Sequence, residues 1–167
     1  LQLRLPTERY YEEEGRAELT PRDFGILMHR VFENAATTDE IYMAIEAMTQ
    51  DGVLDEKEAP RLRELVEKAL ADPVTAEWFG GRWQVVRNEN EIILPGSGTT
   101  RRPDRVMTDG ERAVVVDYKF GDRETARHRK QIREYLRLLR QMGYTRTEGY
   151  LWYVRLGRTE RVEEKED

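Results

Sequence analysis

Two aspartates and a lysine carry the sharpest chemical signal in this 167-residue chain. Pro103-Asp104 is followed, thirteen residues after Asp104, by Asp117-Tyr118-Lys119. Asp117 and Lys119 close the apolar run Ala113-Val114-Val115-Val116 and are two apart, so on a strand they point to the same face. A carboxylate and an ammonium ending an apolar strand are costly unless they bind something. A hairpin through Asp109-Gly110 brings Asp104 to the same end of the sheet as Asp117. Two carboxylates held close repel and raise each other's pKa unless a divalent cation lies between them. Hard oxygen donors suit Mg²⁺. A neighbouring Lys can orient or deprotonate water, or neutralise charge on a phosphate. The plain alternative is an Asp–Lys salt bridge at a strand end with no metal, and spacing alone leaves both open.

These residues need elements to hold them. Pro21 and Asp23 read as a helix start, and Phe24, Leu27, Met28, Val31 and Phe32 lie on one face of that helix. Thr37 to Asp39-Glu40 starts a second helix, which carries Ile41, Ala44, Ile45 and Met48 and stops at Asp51-Gly52. A third is expected from about Glu56 to Leu70, ended by Asp72-Pro73, with a short segment reaching Trp78-Phe79. The period then changes. Trp83–Arg87, Ile92–Leu94 and Arg101–Met107 read as strands, with a turn at Pro95–Gly98. Ala113–Phe120 is apolar enough to sit in the middle of a sheet. Glu124–Gln141 is expected to be helical, Glu148–Leu156 a buried strand, and 157–167 a charged tail, partly strand. We expect an α/β fold: residues 1–20 an arm or linker remnant, 21–80 a helical part, and 81–167 a catalytic αβ core of one domain.

Composition narrows the chemistry. Cysteine is absent, which excludes disulfide scaffolds, thiol catalysis, zinc fingers and iron–sulfur clusters. No apolar run approaches the ~18 residues of a membrane span. No secretory signal is visible, and the absence of cysteine makes a cytoplasmic location the expectation. The start at Leu1, without Met, suggests a piece of a longer polypeptide. Net charge is −5, so contact with nucleic acid must rest on a local basic patch or on bound cations.

Pro103-Asp104…Asp117-Tyr118-Lys119 resembles the signature of PD-(D/E)XK nucleases, most closely the RecB-like branch. Three further features match that branch. Gly25-Ile26-Leu27-Met28-His29 resembles its early helix motif; Glu89 and Glu91 stand where it carries a Glu before the first Asp; Gln131-Ile132-Arg133-Glu134-Tyr135 resembles its Gln-x-x-x-Tyr motif. The text around the two aspartates is similar to the C-terminal nuclease domain of UvrD/RecB-type helicase–nucleases, such as exonuclease V beta subunits.

The resemblance implies a restriction-endonuclease-like core: a mixed central β-sheet flanked by helices, with an N-terminal helical portion. It implies a metal-dependent deoxyribonuclease using one or two Mg²⁺ or Mn²⁺ ions, exonuclease ahead of endonuclease. His29, Asp104 and Asp117 would be side-chain metal ligands, Tyr118 a ligand through its carbonyl, and Lys119 the catalytic lysine. Glu89 is preferred slightly over Glu91 as the family acid. Gln131 and Tyr135, four apart on one helix face, would shape the site or touch the DNA backbone. Water would attack the scissile phosphorus in line, leaving 5′-phosphate and 3′-hydroxyl ends. The implied partners are DNA and a helicase motor on the same polypeptide or a partner subunit, in repair or recombination. Without its companions, His29 would read as an ordinary boundary histidine, and Gln131 and Tyr135 as packing residues.

Phosphate contact is expected from Arg123, Arg127, Arg129, Lys130, Arg133, Arg137 and Arg140, and from Arg101, Arg102 and Arg105 around Asp104. The alternative is a solvated helix face with Glu124 and Glu134 as partners, and His128 is expected to be solvated. The acidic helices at 39–68 should face away from DNA or toward a helicase partner. No base-reading element is visible, so little sequence preference is expected. Two rivals remain: a catalytically inactive RecB-like DNA-binding or scaffolding module, and a metal-dependent hydrolase of small phosphoesters on an unrelated fold.

Overall fold

The amphipathic spacing in the first half of the chain does build helices. A computed structural model describes residues 21–88, 102–121 and 126–164. Glu89, Glu91, Arg101, Arg123, Glu124, the 1–20 arm, and the strand and turn expected over 92–98 lie outside the described residues. Helices α1 (Pro21–Phe32), α2 (Thr38–Gln50), α3 (Glu58–Ala69) and α4 (Pro73–Trp78) precede strand β1 (Val85–Asn88). Strands β2 (Arg105–Asp109) and β3 (Arg112–Lys119), helix α5 (Ala126–Gln141), and strands β4 (Arg146–Tyr153) and β5 (Arg158–Val162) follow.

Local chemistry explains several boundaries. Asp55 Oδ1 accepts from the Lys57 and Glu58 amides while Glu58 Oε2 accepts from the Asp55 amide, a reciprocal cap that opens α3. Asp72-Pro73 ends one helix but also begins another. The Asp72 carboxylate caps the Val74 amide at 2.8 Å, and proline suits the first turn, where its missing N–H costs nothing. The expected strand over 101–107 is shorter at its start: Pro103 has no amide to pair, and β2 opens only at Arg105. The strand expected over 148–156 instead covers 146–153. It gives way to a single 3₁₀ turn at Val154–Leu156, closed by Gly157 at φ +57°.

The five strands form one mixed sheet in the order β1-β2-β3-β4-β5. β3 is central, as its apolar run predicts. It pairs antiparallel with β2 and parallel with β4, the α5 crossover making the parallel return possible. Alternation then sorts side chains between two layers. Met107, Val114, Val116, Tyr118, Tyr150 and Trp152 face the N-terminal helices, where Trp152 lies 5.0 Å from Phe32 and 5.5 Å from Tyr118 by ring centroids. Val106, Val115, Leu151 and Tyr153 face Ile132, Tyr135, Leu136 and Leu139 of α5. This helix–sheet–helix arrangement is the α/β, restriction-endonuclease-like architecture that the resemblance implies. Among the described residues no helix is long and apolar enough to cross a membrane.

Candidate active site

The register of the β2–β3 hairpin builds the centre of the site. Arg105 pairs with Val116, so Asp104, one residue before the ladder, falls beside Asp117 at the end of β3. The Asp104 amide donates to Asp117 Oδ1 at 3.2 Å, and the Tyr118 amide donates to Asp104 Oδ2 at 2.6 Å. Lys119 Nζ lies 3.5 Å from Asp117 Oδ2 on the face that looks toward α5. His29 arrives from α1, 75 residues earlier, with its Nε2 3.1 Å from Asp104 Oδ1. Its Nδ1 lies 3.8 Å from Glu33 Oε2, so the imidazole sits between two carboxylates. The edges of Tyr118 and Phe120 flank the ring at 6.4 and 6.2 Å.

Gly25 lets α1 come this close. A Cβ built there would stand 3.1 Å from the Phe120 Cβ, tighter than ordinary contact. On the other layer, a Cβ at Gly149 of β4 would fall 2.4 Å from Ile132 Cγ2, so glycine allows α5 to settle on the sheet. That seats Gln131 and Tyr135, whose side chains meet when Gln131 Nε2 donates to Tyr135 Oη at 2.7 Å.

Among the described residues the site is short of positive charge. Burial, and next the Asp104 carboxylate, push the Asp117 carboxyl up to about 6, against the opposing pull of Lys119. Burial, and then Asp117, push the Tyr135 phenol upward, so it stays a neutral hydroxyl at physiological pH. The two effects place Tyr135 in the field of the same carboxylates. Among the described residues no group of three His, Asp or Glu side chains stands ready to grip a metal ion. The donor chemistry nonetheless fits a hard divalent cation: two mutually repelling carboxylates, one imidazole and a strand-end carbonyl. The Glu89/Glu91 alternative that would complete it lies outside the described residues.

The basic residues divide. Arg127, Lys130, Arg137 and Arg102 are exposed. Arg129 is engaged by Glu160 of β5, Arg133 donates to the Glu163 carbonyl at 3.1 Å, and Arg140 pairs with Glu164. Those three are engaged by the C-terminal strand and the residues after it, while the expected partner Glu124 lies outside the described residues. His128, expected to be solvated, is half-buried. Arg105 is another correction. It is fully buried on the face opposite α5 and donates to carbonyls of the turn after α1 and of the end of α4. Glu33 was readable four residues after His29 on the same helix face, but nothing singled it out among the many acids. Gly149 carried no signal short of the packing itself.

A family model of the PD-(D/E)XK nuclease superfamily matches residues 2–167. Comparison with curated proteins gives no match. Nucleases of this kind generally use divalent metals. With a match over nearly its whole length, a sheet flanked by helices on both faces and the paired aspartates beside a lysine, the chain belongs to the PD-(D/E)XK nuclease superfamily.

Proposed function

We propose that this chain is a RecB-type nuclease domain that hydrolyses DNA phosphodiester bonds with Mg²⁺ or Mn²⁺. We read residues 21–167 as one domain behind an arm at 1–20. Its strand is delivered by a helicase motor on the same polypeptide or on a partner subunit, in cytoplasmic repair or recombination, and exonuclease action is the favoured mode. The observation that carries this reading is the meeting of His29, Asp104, Asp117 and Lys119, from three separate elements, at one end of the sheet.

His29, Asp104, Asp117 and the Tyr118 carbonyl would hold the ion, with Glu89 or Glu91 as the further acid. Bound there, it would supply Lewis-acid polarisation and charge neutralisation at the scissile phosphate. The chain's own groups do the rest. Lys119 Nζ, partly exposed beside Asp117, donates to a phosphate oxygen or to the attacking water and holds it in line. Tyr135, kept neutral, presents a hydroxyl from the α5 side, with Gln131 fixing its direction. Arg127, Lys130 and Arg102 carry the strand by its phosphates.

The test is cleavage of linear and circular DNA with Mg²⁺ or Mn²⁺. Asp117→Ala and Lys119→Ala should each lose at least about a hundredfold in rate, the scale of a lost electrostatic stabiliser. Equal cleavage by wild type and both variants would identify a contaminant and end the reading. Calorimetric titration with Mn²⁺ separates the enzyme from an inactive scaffold, which should bind none. A small-phosphoester hydrolase would cleave a chromogenic phosphodiester and ignore DNA.

A further inference from the structure

We propose that Arg105 is a positioning residue of this site, tying the N-terminal helices to the start of β2 so that the His29 imidazole meets the Asp104 carboxylate. The inference rests on the reading of those two residues as ligands.

Strand alternation turns Arg105 away from Asp104, through the sheet to the face covered by the N-terminal helices. Its side chain is wholly enclosed. Nη1 donates to the Ala35 carbonyl at 2.5 Å, and Nη2 donates to the Ala36 and Trp78 carbonyls at 2.8 and 2.7 Å. A longer contact, 3.4 Å, reaches Asn88 Oδ1 on β1, and the guanidinium lies 4.0 Å over the Phe79 ring. One side chain therefore joins the turn after α1, the end of α4 and the neighbouring strand.

Both ends of this tether are short. Asp104 is the preceding residue, and Ala35 is three residues past the end of α1, six past His29. Burying a cation costs free energy, and apolar residues of similar volume often fill such a space without loss of stability. A planar fork of fixed donors does something they cannot: it holds carbonyls from two segments in one geometry, to hydrogen-bond tolerance. Apolar helix-on-sheet contacts are non-directional and set no such geometry. The α1–β2 spacing is the one the site needs, because His29 and Asp104 stand on opposite sides of it.

The experiment uses Arg105→Lys and Arg105→Gln in the full chain, with far-UV circular dichroism and thermal melting to establish folding. The imidazole nitrogen resonances of the metal-free protein are then compared. There are two histidines, and His128→Gln assigns them. Folded variants should show displaced or broadened His29 signals with His128 unchanged. They should also show about tenfold or more loss of Mn²⁺ affinity and of kcat, at similar KM for DNA, as losses of supporting contacts around ligands do. Raising Mn²⁺ should recover much of the lost rate, which a mere fall in folded fraction would not allow. A folded Arg105→Lys with wild-type His29 resonances, Mn²⁺ affinity and kcat overturns the proposal. So does failure of both variants to fold, since the arginine would then serve the fold and not the alignment. If the wild type neither binds Mn²⁺ nor cleaves DNA, the nuclease reading fails, while the His29 resonances of the metal-free variants still decide what Arg105 does.

Discussion

Asp117 is where charge is least at ease. It is 4% exposed, faces Asp104, and among the described residues is paired with Lys119 as its counter-charge. Its carboxyl sits near 6 against an ordinary value of 3.8. The folded state therefore binds a proton that the unfolded chain has released. Stability contributed by that proton is present below about pH 4 and falls as pH rises towards 6. Asp117→Asn removes this dependence, and the metal-free variant should be more stable than wild type at pH 7 by roughly 1–2 kcal/mol. Urea midpoints of both proteins at pH 5 and pH 7 check it: the difference should grow with pH. Mn²⁺ should raise the melting temperature of wild type but not of Asp117→Ala, and chelation should reverse the rise.

Two glycines do at the level of elements what Asp117 does among charges. Gly149→Ala would place a Cβ 2.4 Å from Ile132 Cγ2, with Leu136 also at 3.2 Å, so α5 must lift from β4. Overpacking of that kind should cost about 1–3 kcal/mol and displace Gln131 and Tyr135, seen as a lower denaturation midpoint together with weaker cleavage. Gly25→Ala differs. Alanine gains about 1 kcal/mol of helix propensity over glycine, which offsets the 3.1 Å contact with Phe120. The expected result is near-unchanged stability with reduced Mn²⁺ affinity, because α1 carries His29 toward Asp104. Helix starts were readable where side chains close on the local backbone, as Thr37 and Glu40 do at the start of α2. The α4 helix was missed because Asp72-Pro73 is both a stop for the preceding turn and a start for the next.

Over the whole molecule, a chain of net charge −5 has few cations to offer a polyanion, and some of those described are engaged internally. On α5, Arg129, Arg133 and Arg140 are taken by the acids and a carbonyl of the C-terminal segment, whereas Arg127 and Lys130 stand exposed. Arg127→Ala with Lys130→Ala should weaken DNA binding across sequences and lower the salt slope by about two. Arg129→Ala should leave that slope unchanged and instead lower stability slightly, since a part-buried ion pair with Glu160 is lost. Binding isotherms over a salt series, read beside melting curves, distinguish the two.

Periodicity and spacing by themselves determined the class of fold, the central place of β3, the shared face of Asp117 and Lys119, and the apolar face of α1 around His29. Each follows from the geometry of a single element, which repeats every two or 3.6 residues and is written in neighbouring residue types. Only the tertiary structure decided what each face meets. The register set Asp104 against Asp117 one step beyond the ladder. Arg105 became a buried clamp because alternation turned it beneath a helical layer, and Arg129 of α5 was claimed by Glu160 of β5 because that strand lies next to β4. Contacts between segments dozens of residues apart leave no local pattern, since either partner could have met another surface until the layers closed.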